Sequence, residues 1–237
     1  MSSTDPVPPE VIDNWQVLQV EDCVYEMPLQ LSPALMSQQG ILANHLLSAR
    51  RRLIHFARQH GWGEYIHQPF AKRAQIYDDK AKFDRDLLEI NGLDTTIELP
   101  RTYCAALEKN ILFSVSPDLY RTLYPEGEEQ NAFEKLLAHE MAHRLHIRIL
   151  GGDEDAMGPV WFYEGFALYA ANQFEGLTLQ MSPGEIWDLA GSEERGDYRR
   201  YAFMFHYFVG RIPLQQLVEM ARETDFISRL KAVTEQS

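Results

Sequence analysis

The stretch His139-Glu140-Met141-Ala142-His143 constrains this chain more than any other. Two histidines four residues apart sit one turn apart on the same face of a helix, so their imidazoles can converge on one metal ion. Glu140 follows the first of them and can face a water at that ion as general base. With 8 His in 237 residues, composition alone gives His-Glu-x-x-His about 0.02 times in such a chain. The surroundings carry a helix from Asn131 to Leu150. Ala132, Leu136, His139, His143, Ile147 and Leu150 share one stripe, and Phe133, Leu137, Met141 and Leu145 form a second. A helix apolar on two sides is buried between layers, and imidazoles buried there need partners. Gly151-Gly152-Asp153-Glu154-Asp155 breaks the helix, and Pro159 begins another that carries Glu164. Folded back on the first helix, it brings Glu164 level with the histidines. His139, His143 and Glu164 then leave a fourth position open on zinc, the ligand set of a catalytic rather than a structural site.

His139-Glu140-x-x-His143, followed by Trp161-x-x-Glu164-Gly165-Phe166-Ala167-x-Tyr169, resembles the gluzincin metallopeptidases. The second segment is most similar to the helix that carries the third ligand in the large zinc aminopeptidases and their smaller relatives. The resemblance covers residues 134 to 170. It implies one Zn2+ per chain on His139, His143 and Glu164, Glu140 as catalytic base, a peptide or protein substrate, and an α+β, thermolysin-like (zincin) fold. In that fold a small mixed sheet precedes a mainly helical C-terminal lobe, and its edge strand receives the substrate backbone. The family also implies a Tyr or His from the helical lobe as donor to the carbonyl oxygen. Tyr198, opening the helix after the third ligand, matches best; Tyr201 and His206 are the other candidates. The large aminopeptidases carry a Gly-x-Met-Glu-Asn segment that holds the substrate amine, and this chain has none. A zinc-bearing binding protein of the same fold, and a hydrolase of a non-peptide amide or ester, are the alternatives that the same ligand set allows.

The length suits one large domain or two small lobes. We expect a flexible tail over 1–13, where Pro6, Pro8 and Pro9 stand among polar residues, and a single domain over 14–237. Its α/β lobe runs to about 150 and its helical lobe starts at about 159. A net charge of −13 repels a phosphate backbone and argues against nucleic acid. Cys23 and Cys104 make no disulfide framework. No basic leader and no membrane-length apolar run is visible, so a cytoplasmic protein without a membrane span is expected.

In chain order, Trp15 to Met27 reads as a strand or packing arm, and Pro33 to about His60 as a long helix. Arg50-Arg51-Arg52 with Arg58 reads as a solvated face of that helix, and His45, His55, His60 and His67 as surface or capping residues. Strands are expected at Ala74–Tyr77, Thr95–Leu99 and Ile111–Ser116, with helices at Asp79–Ile90 and Asp118–Tyr124. Ser182-Pro183-Gly184-Glu185 has the form of a capping box. Helices then follow at Tyr198–Val209, Pro213–Arg222 and Phe226–Val233, with Gly191 to Gly196 as a charged loop. His146, three residues after His143, reads as structural or as support to a ligand, because His139 is about 10 Å of rise away.

Overall fold

Ile111-Leu112-Phe113-Ser114-Val115 has no polar face beyond one serine, and a strand of that kind must be covered on both sides. In the computed structural model, which describes residues 27–192 and 195–234, it is the inner strand β4 (Ile111–Val115) of a four-stranded sheet, buried along its whole length. The other strands are β1 (Leu29–Leu31), β2 (Arg73–Tyr77) and β3 (Ala105–Glu108), in the order β1-β2-β4-β3. β1 and β2, and β2 and β4, run parallel; β3 pairs with β4 antiparallel and forms one edge. Lys109 and Asn110, with φ of 47° and 63°, make the two-residue turn between β3 and β4. Positive φ at both positions is the hairpin geometry that matches strand twist.

Nine α-helices stand among the described residues: α1 (Gln39–Gln59), α2 (Lys80–Ile90), α3 (Pro117–Leu123), α4 (Ala132–Ile149), α5 (Val160–Ala171), α6 (Pro183–Ala190), α7 (Tyr198–Val209), α8 (Leu214–Ala221) and α9 (Phe226–Thr234). α2 packs on β2 and β4, and α4 on β3 and β4, which covers the inner strand. After β4 every described element is helical. The chain is therefore α+β with a small mixed sheet and a mainly helical C-terminal half. No helix among the described residues is long and apolar enough to cross a membrane.

Local chemistry accounts for most of the boundaries. Asp79 caps α2 by accepting from the Lys82 N–H at 2.8 Å, and Ser116 caps α3. The Ser182–Glu185 capping box is present in both directions. The helix expected from Pro33 begins as a 3₁₀ turn, Pro33–Gln38, before α1. Three expectations need correction. Thr95–Leu99 is not a strand: Asp94 accepts from both the N–H (2.9 Å) and the hydroxyl (2.8 Å) of Thr96, and this side-chain turn displaces extended pairing. Arg50 is not on a solvated face: it is 4% exposed, and burial lowers its guanidinium to about 10. β1 and β3 were not expected; Ala105-Ala106-Leu107-Glu108 is short and alanine-rich, so its β structure comes from pairing with β4. The expected tail over 1–13, nearly all of the Trp15–Met27 segment and Cys23 lie outside the described residues.

The helical half is assembled on α5, which packs against α4 on one side and α7 on another. Gly165 permits the second contact. A Cβ at that position would lie 2.7 Å from Phe205 Cδ2 and 2.9 Å from Phe205 Cβ, and Phe205 is fully buried. Alanine in a helix interior ordinarily gains up to about 1 kcal/mol over glycine. Here overpacking reverses the sign, so Gly165→Ala is expected to cost about 1–3 kcal/mol. A lower urea midpoint at unchanged m-value is the expected signature.

Candidate metal centre

His139 and His143 lie one turn apart on α4, and Glu164 faces them from α5. The turn between the two helices needs Gly158, at φ 81°, because a Cβ there would meet Ala221 and Phe162 at 3.2 Å. His139 Nε2 is 3.1 Å from Glu164 Oε2 and 3.1 Å from His143 Nε2; His143 Nε2 is 3.6 Å from the same carboxylate oxygen. Donors about 2.0–2.1 Å from a tetrahedral ion are about 3.3 Å from one another, so this triangle fits such an ion. Glu164 is 1% exposed and His139 5%. The group could hold a metal ion.

Electrostatics follow from this convergence. Burial alone would raise the Glu164 carboxyl, but hydrogen bonds and charge from His139 and His143 hold it well below the usual carboxylate range. Glu140, next to the first histidine, lines the cleft. Burial, and after it the carboxylates of Glu164 and Glu108, push it up to about 7 against the lowering influence of His139 and Arg195. Burial and Glu164 also raise the Tyr198 phenol, which therefore keeps its proton.

The expected donors separate clearly. Tyr198 opens α7 directly after Asp197, which caps the helix by accepting from the Arg199 N–H at 2.8 Å. Its ring is 5.9 Å from that of His139, and it lines the cleft. Tyr201 is 1% exposed and accepts from the Gly196 N–H, a task that fixes the loop rather than facing the histidines. His206 packs on Tyr169 at 4.9 Å and is not among the residues lining the cleft. His146 is fully buried, stacked on Phe166 at 4.3 Å, with no hydrogen-bond partner for either nitrogen among the described residues. It is a core residue.

The cleft over the centre has a volume of about 980 Å³. β3 lines it along its whole length, and Tyr120, Tyr124, Leu136, Leu168 and Phe174 supply apolar surface. Glu108 and Glu154 line both this cleft and an adjoining cavity of about 290 Å³. The Val115 N–H donates to the Cys104 carbonyl, which fixes the alternation along β3. Ala106 and Glu108 exchange backbone bonds with β4, and Ala105 and Leu107 turn theirs away from it. Several cleft residues went unread in the sequence, three of them close to the centre. Tyr103 precedes β3, Tyr163 has its ring 5.9 Å from that of His143, and Arg195 contacts Glu164. None belongs to a spacing pattern; only Tyr163, beside Glu164, had a place on an element already assigned to the centre.

No family model matches the chain, and neither curated proteins nor solved structures give a match.

Proposed function

We propose that this chain is a zinc-dependent peptidase of the gluzincin type, with a thermolysin-like arrangement around the centre. The observation that carries the reading is the convergence of His139, His143 and Glu164 beneath a cleft that Glu140 and Tyr198 both line. A divalent ion held by these three residues would acidify a water and polarise a carbonyl.

The chain's own groups supply the rest. Glu140 takes the proton of the attacking water and later delivers it to the leaving amine. The Tyr198 hydroxyl donates to the carbonyl oxygen as negative charge builds there. An extended peptide pairs with the N–H and C=O groups of Ala105 and Leu107, which face away from β4, and this holds the scissile bond over Glu140. Tyr120, Tyr124 and Phe174 offer apolar contact to a substrate side chain.

The test is digestion of a defined mixture of unstructured peptides by the zinc-supplied protein, with products read by mass spectrometry. Discrete cleavages that stop on chelation and return with zinc are expected. A zinc-loaded protein that leaves every peptide intact would contradict the proposal.

A further inference from the structure

Glu164 divides its two oxygens. Oε2 faces His139 Nε2 at 3.1 Å and His143 Nε2 at 3.6 Å. Oε1 instead accepts from Nη2 of Arg195, which reaches in from the loop between α6 and α7. The same Nη2 donates to the Tyr198 hydroxyl at 2.9 Å. One amino group of the guanidinium carries two hydrogens, so it can serve both acceptors at once. The loop is itself fixed at the next residue, where the Gly196 N–H donates to the buried Tyr201 hydroxyl.

We propose that Arg195 is a positioning residue that sets both the third ligand and the phenol. With Oε1 taken by the guanidinium, Glu164 presents Oε2 alone to an ion. A carboxylate held in this way is oriented by its outer hydrogen bond, as metal ligands commonly are. The consequence for Tyr198 is equally specific. Its oxygen accepts from a cation, so its one hydrogen is left to donate elsewhere, and the cleft that it lines is where a substrate carbonyl would stand. An accepted charge-assisted bond also polarises the hydroxyl and strengthens it as a donor. The Arg195 side chain is 56% exposed while that of Glu164 is 2% exposed, so the guanidinium closes the buried carboxylate from the cleft side. Lysine reproduces this arrangement only in part: its ammonium has hydrogens for both acceptors, but its stem is shorter and lacks the planar group that fixes Nη2 between them.

The inference rests on the metal-centre reading, and the experiment separates the two. Zinc affinity of wild type, Arg195→Met and Arg195→Lys is measured by competition with a chromophoric chelator, alongside the visible spectrum of each cobalt-substituted protein. Arg195→Met is expected to bind zinc about 10–100-fold more weakly, with an altered cobalt spectrum and a fall in kcat at little-changed KM. Arg195→Lys, which keeps the charge next to Glu164, is expected to recover part of the affinity. Wild-type zinc affinity and cobalt spectra in both variants would overturn the inference while leaving the metal centre standing. A rise in KM alone would also overturn it, since Arg195 would then be a substrate contact. A wild-type protein that takes no zinc overturns both readings.

Discussion

Glu140→Gln is expected to lower peptide hydrolysis by about 10²–10⁴-fold while leaving bound metal unchanged. The substitution keeps the shape of the side chain and removes its capacity to accept a proton. Glu140 is not one of the three converging donors His139, His143 and Glu164, so those remain as they are. The electrostatic surroundings even favour the neutral amide, because burial and the carboxylates of Glu164 and Glu108 already work against charge at this position. Loss of turnover together with loss of metal would mean that Glu140 acts on the centre rather than on the proton. Retained turnover would remove it from the chemistry.

The second large effect concerns stability in acid. His146 is held at about 3 by burial, with a further lowering from His143, whereas the unfolded chain presents an ordinary histidine near 6.5. Its folded value is therefore depressed. Above about pH 6.5 both states are neutral and the group contributes no pH dependence. As pH falls from 6.5 toward 3, the unfolded chain takes up the proton and the folded one does not, so stability is lost. At pH 4.5 the loss from this residue alone is about 2–3 kcal/mol. The ring lies against Phe166 and Phe162 with both nitrogens unpartnered among the described residues, so an aliphatic side chain of similar size suits the site. His146→Leu is expected to match or exceed the wild type at pH 7 and to show a flatter decline in acid. Urea unfolding of both metal-free proteins at pH 7 and 4.5 isolates the histidine from carboxylates such as Glu164, which both proteins share. Equal acid sensitivity in the two would show that His146 takes no part.

The parts legible in the sequence were those with a period or a fixed offset. The 3.6-residue repeat placed α4 and, with it, the shared face of His139 and His143. The offset from Ser182 to Glu185 placed the start of α6. Tyr198 was legible only as the first residue of an aromatic helix, and its approach to His139 comes from the α5–α7 packing that Gly165 permits. Other features depend on tertiary context. β3 is an edge strand because β4 needs a partner, and two alanines give no sign of that. The Thr95–Leu99 run has the right residues for a strand, yet the Asp94 side chain bonds Thr96 locally and prevails. Arg50 sits in a run of three arginines that looks solvated as a string, and only helix packing buries one of them. Arg195 is one charge in a charged loop; its importance follows from where the loop is fixed, by Tyr201, six residues on.

Elemental analysis of zinc in purified wild type and Glu164→Ala, side by side, tests the central claim most directly. Glu164 contributes the one carboxylate oxygen that both histidines face, from a helix separate from theirs. About one zinc per wild-type chain, with most of it lost from Glu164→Ala, is the expected result. A wild-type protein that holds no metal after zinc is supplied, or a variant that holds as much as the wild type, would contradict it.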